Sequence, residues 1–116
     1  MADKIFDLSE VSGEEYQSAE LLCSYLEKEG FEVERGTGFP TAFRAEWRNG
    51  SGGPVIGILV EYDALEKIGH ACGHHLQGPA DWCSNSSKRM YVRVSMHNCC
   101  VWNSGRRNSW WKDCDA

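Results

Sequence analysis

Four of the seven residues in Gly69-His70-Ala71-Cys72-Gly73-His74-His75 are histidine or cysteine. Cys72 and His74 set a thiolate and an imidazole two residues apart, on a loop that Gly73 lets bend closely. That donor pair suits one or two borderline-soft divalent ions. Two ligands do not complete a catalytic centre, so partners are needed. Asp63 can orient a ligand histidine by accepting its second N–H, the usual arrangement around protein-bound metals. Glu61 offers a second carboxylate that can touch metal. Each residue also has a structural reading: solvated acids capping a strand end for Glu61 and Asp63, hydrogen-bonded or packed histidines for His70 and His75. His70 and His75 are otherwise candidates for contact with substrate or with the ligands.

The elements that must carry these residues follow from apolar spacing. Over residues 13–29, Tyr16, Ala19, Leu22, Cys23 and Leu26 recur at the three-to-four interval that gathers one helix face. Ser12 suits the cap of that helix, Glu14 and Glu15 suit its positive end, and Gly30 suits the left-handed turn that stops it. Residues 31–34 alternate as a short strand, and residues 41–47 read as another. A glycine-rich turn at residues 49–54 leads into Val55-Ile56-Gly57-Ile58-Leu59-Val60, a continuous apolar run expected to be a buried central strand. The strand delivers Glu61 and Asp63 at its C-terminal edge, where open α/β sheets place ligands. Residues 81–116 show neither helical nor alternating periodicity, and no element is assigned to them.

Bulk properties narrow the function classes. With 116 residues, one small domain is the ceiling, and 41% hydrophobic with 25% charged residues is ordinary globular composition. A formal net charge of -5 argues against a nucleic-acid binder or an anionic-membrane binder. No apolar run reaches membrane-spanning length, and the acidic residues 1–10 do not form a secretory signal, so a cytoplasmic location is expected. In that compartment six cysteines point to metal binding or free thiols rather than a disulfide scaffold. Their placement is uneven: four of the six cysteines and four of the five tryptophans follow residue 80. An alternative function uses that imbalance, with Cys83, His97, Cys99, Cys100 and Cys114 joining Cys72 and His74 in a small zinc-binding or interaction module. Their spacings match no established zinc pattern.

Four segments carry a resemblance in their order and spacing: Thr41-Ala42-Phe43, Gly53-Pro54-Val55-Ile56, Glu61-Tyr62-Asp63-Ala64-Leu65, and Ile68-Gly69-His70-Ala71-Cys72-Gly73-His74. Together they resemble metallopeptidase family twenty, the aminoacylase/carboxypeptidase group. The similarity is strongest to its amidohydrolase branch, which includes p-aminobenzoyl-glutamate hydrolase and the β-alanyl dipeptidase. The likeness runs from about residue 5 to about residue 78, dividing the chain into an N-terminal catalytic-domain fragment at residues 1–78 and a non-homologous tail at residues 79–116. The resemblance implies an α/β fold, the N-terminal part of a mixed-sheet dinuclear-metal hydrolase domain, followed here by an irregular tail. It implies Cys72 and His74 as metal ligands and Asp63 as the orienting catalytic residue.

The implied reaction is hydrolysis of an amide bond in N-acyl amino acids or dipeptides, by water held between two divalent ions, zinc or manganese. A glutamate from a later Glu-Glu pair takes the water's proton in that family. Here the one Glu-Glu pair is Glu14-Glu15, upstream of the loop, and the later histidine ligands and the dimerisation domain are missing. Glu66-Lys67 stands where the family has Pro-Gly, and His75 where it often has Asn or Asp. The expectation is therefore an enzyme by descent that is inactive in this form and not expected to hold the metal pair. The homodimer of the intact family is not expected of it either.

The genetic code suggests an origin for the tail. Trp110-Trp111-Lys112 must be TGG-TGG-AAR, which one base later reads Gly-Gly followed by Lys or Arg. With AGR codons for Arg106 and Arg107, the same shift permits Pro-Ala-Glu-Glu ahead of that glycine pair. Over residues 81–89 it permits Thr-Gly-Val-Ala-Ile-Ala-Ala-Lys-Glu, a small-residue helix. A one-base slip near residues 76–81 is thus expected, leaving residues 79–116 disordered or out of frame.

Overall fold

The computed structural model describes residues 1–48, 55–84 and 91–96. Three helices, α1 (Ala2–Leu8), α2 (Tyr16–Lys28) and α3 (Gln77–Ser84), accompany four strands, β1 (Glu32–Arg35), β2 (Phe43–Trp47), β3 (Val55–Val60) and β4 (Tyr91–Met96). The sheet is mixed, in the order β1-β2-β4-β3. β1 and β4 each pair antiparallel with β2, while β3 and β4 are parallel. The metal-type loop and α3 form the crossover between these two parallel strands, as a parallel pair requires.

α2 supplies one wall of the core. Ala19, Leu22, Cys23 and Leu26 are buried and cluster with Ile5, Phe43, Ala45, Val60 and Tyr62. Tyr16, expected on the same face, is 58% exposed because it opens the helix beyond the edge of the sheet contact. Burial pushes the Cys23 thiol up to about 12, so this cysteine is packing material and not a nucleophile. Gly30 stops the helix with φ at 90°, and the Phe31 N–H closes back on the Leu26 carbonyl at 3.0 Å.

The start of α2 differs from expectation. Ser12 does not cap it, and Glu15 stands at the N-cap position with no side-chain cap bond. The first-turn N–H groups of Gln17 and Ser18 instead donate to the Glu10 carboxylate at 3.0 and 2.7 Å, and the Ser18 hydroxyl joins at 2.7 Å. A cap drawn from seven and eight residues upstream has no local sequence signature. Burial opposes ionisation of Glu10, but the bonds from Ser18 and Gln17 outweigh it and hold the carboxyl below its ordinary value. Glu15, expected at the helix end in solvent, is fully buried and accepts the Gly13 N–H. Burial pushes its carboxyl up, and the negative charge of Asp63 adds to that effect.

Two further elements depart from the expected pattern. β3 is an edge strand among the described residues, paired to β4 alone, and Leu59 is 56% exposed, so the run is not the buried central strand expected. Its continuous apolar character suits cover on both faces, which the described residues supply only at its Val60 end. α3 continues to Ser84 and β4 occupies residues 91–96, inside the stretch to which no element is assigned from sequence. Of that tail, residues 85–90 and 97–116 lie outside the described residues, as does the expected turn at residues 49–54. No described helix is long and apolar enough to cross a membrane.

Candidate metal site

β3 ends at Val60 and the chain leaves it as Glu61-Tyr62-Asp63. Three ties fix this exit. The Glu61 N–H donates to the Gln77 side-chain oxygen at the start of α3 at 3.0 Å. Tyr62 is buried, its hydroxyl pushed up by burial and donating to the Thr41 carbonyl. The Ala64 N–H donates to the Glu10 carbonyl at 2.7 Å, and Val11 and Ala64 form a parallel bridge. Leu65 and Gly69 then close a tight hairpin with mutual N–H to carbonyl bonds of 2.9 Å, with Lys67 at its tip in the left-handed region at φ 70°. Gly73, at φ 78°, turns the loop into a single 3-10 turn, His74–Leu76, a bend in which any other side chain is strained.

This route returns His74 to the strand end. Its Nδ1 lies 2.7 Å from Asp63 Oδ1, and its Nε2 lies 3.2 Å from Glu61 Oε2. Asp63 is buried, so its carboxylate accepts from Nδ1–H in a site shielded from competing water. That bond places the remaining lone pair of a neutral ring on Nε2. A lone pair and a carboxylate oxygen approach to 3.2 Å only with positive charge between them, either a proton on Nε2 or a cation shared by both groups. Two donors each about 2.0–2.1 Å from a tetrahedral ion stand roughly 3.3 Å apart, so the Glu61 and His74 spacing fits a zinc-like ion.

The other expected ligand is placed differently. Cys72 is exposed and its thiol is free. Among the described residues no three histidine, cysteine or acidic side chains are grouped closely enough to hold an ion. The structure thus brings together Glu61, Asp63 and His74, and leaves Cys72 out of that group. His70 and His75 are part of the packing beside the loop. Cys83, His97, Cys99, Cys100 and Cys114, the alternative zinc ligands, lie outside the described side chains.

The backbone arrangement matches that of a solved metallopeptidase. The Bacillus subtilis YXEP protein, a dinuclear metal-binding peptidase from the M20 family, superposes with a TM-score of 0.64 at 24% identity, over 82% of this chain and 33% of its own. No family model matches the chain. Among curated proteins, one of the two polypeptides that bear the name p-aminobenzoyl-glutamate hydrolase in Escherichia coli is 43% identical over 98 residues, covering 69% of this chain and 20% of that protein. The Xaa-Arg dipeptidase of Homo sapiens is 40% identical over 84 residues, and thermostable carboxypeptidase 1 of Saccharolobus solfataricus 33% over 85 residues. They cover 62% and 61% of this chain. By sequence and fold, the chain is homologous to part of the M20 metallopeptidases. It spans about a fifth of the length of the curated relatives it matches.

Proposed function

We propose that this chain carries the first part of a metal-dependent amidohydrolase site, acting in its complete form on a small N-acyl amino acid or dipeptide in the cytoplasm. The observation that carries the reading is the Glu61–His74–Asp63 constellation at the end of β3, with both His74 ring nitrogens committed to carboxylates. Asp63 holds the ring in one tautomer and orientation, acting on the site through His74. His74 Nε2 and Glu61 converge as donors, and Cys72 supplies a thiolate from the exposed side of the same loop. Divalent ions held there, zinc or manganese, would polarise an amide carbonyl and lower the pKa of a water.

What these residues do not supply is a base. Glu14-Glu15 is the one Glu-Glu pair in the sequence, and Glu15 is fully buried against Gly13 with no path to a water at the loop. The 116-residue chain is therefore expected to give no turnover of p-aminobenzoyl-glutamate or dipeptides above a chelator-treated control, with zinc or manganese added. Chelator-sensitive hydrolysis would show that a base lies elsewhere in the chain.

Residues 79–116 are then proposed to be read one base out of the ancestral frame. Resequencing the locus across residues 70–116 is expected to find the adjacent frame open and encoding a Glu-Glu loop ahead of a Gly-Gly pair. Stop codons in that frame would reject the proposal.

A further inference from the structure

We propose that helix α1 is a clasp for the ligand loop, with His70 and Phe6 as its positioning residues; this rests on reading the loop as a metal site. His70, 65 residues downstream of Ile5, uses its Nε2 to donate to the Ile5 carbonyl at 3.0 Å. Ile5 is fully buried in the core, so the anchor point is itself fixed. The same carbonyl accepts the Ser9 N–H at 3.2 Å, which ends α1, so His70 occupies its second lone pair.

Phe6 explains why a half-exposed aromatic ring belongs on so short a helix. Its ring stacks on His70 with centroids 6.0 Å apart at 29°, and meets His75 edge-on at 5.1 Å and 66°. His70 and His75 are 4.9 Å apart, so three rings make one cluster. His70 and His75 bracket Cys72 and His74 in the sequence, and both flanks of the ligand stretch are thereby held to α1. The segment after the helix continues the contact. Ser9 Oγ lies 3.5 Å from where a Cβ on Gly69 would stand, and the Glu10 carbonyl takes the Ala64 N–H. Everything between the bracketing histidines, Gly73 with its left-handed backbone included, then has its ends fixed and its donors aimed.

The imidazoles also have capacity to spare. His70 Nδ1 and His75 Nδ1 are both buried and make no hydrogen bond among the described residues. With Nε2–H given to Ile5, a neutral His70 presents a lone pair at Nδ1, so Nε2 is its anchoring atom. The clasp therefore depends on a single donor bond and the Phe6 ring, and both can be removed one at a time.

The test uses the full chain and two readouts, zinc affinity by titration calorimetry and hydrogen exchange of the amides of residues 70–76. His70→Leu and Phe6→Ala are each expected to speed loop exchange and to weaken zinc binding by about 10-fold, the scale for losing a group that orients a ligand. His70→Gln retains an N–H of similar reach and is expected to restore most of both. Exchange in β1 and β2 reports whether the fold persists. Phe6 is 50% exposed, so its truncation leaves the core intact even if His70→Leu unfolds. A parent chain that binds no zinc would reject the metal reading alone, since loop exchange still decides the clasp. Unchanged loop exchange in both variants overturns it.

Discussion

Replacing His74 with alanine is expected to reduce divalent-ion affinity of the chain by at least about 100-fold, because losing a group that merely orients a ligand already costs about 10–100-fold. Three consequences coincide in this one substitution. A neutral nitrogen donor disappears, Asp63 is left as a buried carboxylate without its 2.7 Å partner, and Glu61 loses the group opposite it at 3.2 Å. Asp63→Asn separates these effects. An asparagine oxygen still accepts from Nδ1–H, so the ring stays oriented while the charge is lost, and about a 10-fold loss is expected. The order His74→Ala worse than Asp63→Asn, measured by calorimetric titration with zinc, checks the assignment of ligand and orienting residue. The reverse order would place Asp63 on the metal.

The second large effect concerns the fold. Phe43 is 1% exposed and opens β2, where its ring lies 6.1 Å from that of Tyr62. Its truncation to alanine is expected to cost about 3–5 kcal/mol, from lost transfer energy and the cavity left behind. Small domains are stable by only about 5–15 kcal/mol, so this single change removes a large part of the margin. Because Tyr62 stands between Glu61 and Asp63, the site loosens with the core. Urea denaturation of Phe43→Ala and of Phe43→Leu checks this, with the leucine variant expected to lose much less. A cost under about 1 kcal/mol for the alanine variant would mean that the Phe43 pocket is not the core of this unit.

The contrast between legible and illegible features has a physical basis. α2 is legible because its buried positions recur at helical spacing and Gly30 marks its end. β3 is legible as a strand, but its place at the edge of the sheet depends on β4, which enters between it and β2. β4 itself carries a short signal, Val92 and Val94 alternating with Arg93 and Ser95, that the surrounding tryptophans and cysteines obscure. α1 has seven residues and no side-chain cap, so what secures it is tertiary: Ile5 in the core and the His70 bond. The Glu10 cap is likewise visible only once the chain has folded back.

At the site, Asp63 facing His74 follows from chemistry alone, since a buried carboxylate near a ligand-type histidine has one good use. Residue type leaves Glu61 between solvent and metal, and the fold sets it against Nε2. Cys72 shows the opposite limit. Spacing pairs it with His74, but a left-handed Gly73 between them sends the two side chains into different surroundings, one exposed and one packed on Asp63. His70 and His75 are indistinguishable from ligands by type, and only the Ile5 carbonyl and the Phe6 ring give them another task.

The central claim is that the loop ending in His74 is a metal-binding half-site. Titrating the full chain with cobalt(II) and following thiolate-to-metal charge-transfer absorption tests it most directly, because that band requires a cysteine ligand and its saturation reports the affinity. The account predicts a saturable band that disappears in Cys72→Ser and in His74→Ala. Absence of any band in the parent chain, or a band that survives loss of His74, would contradict it.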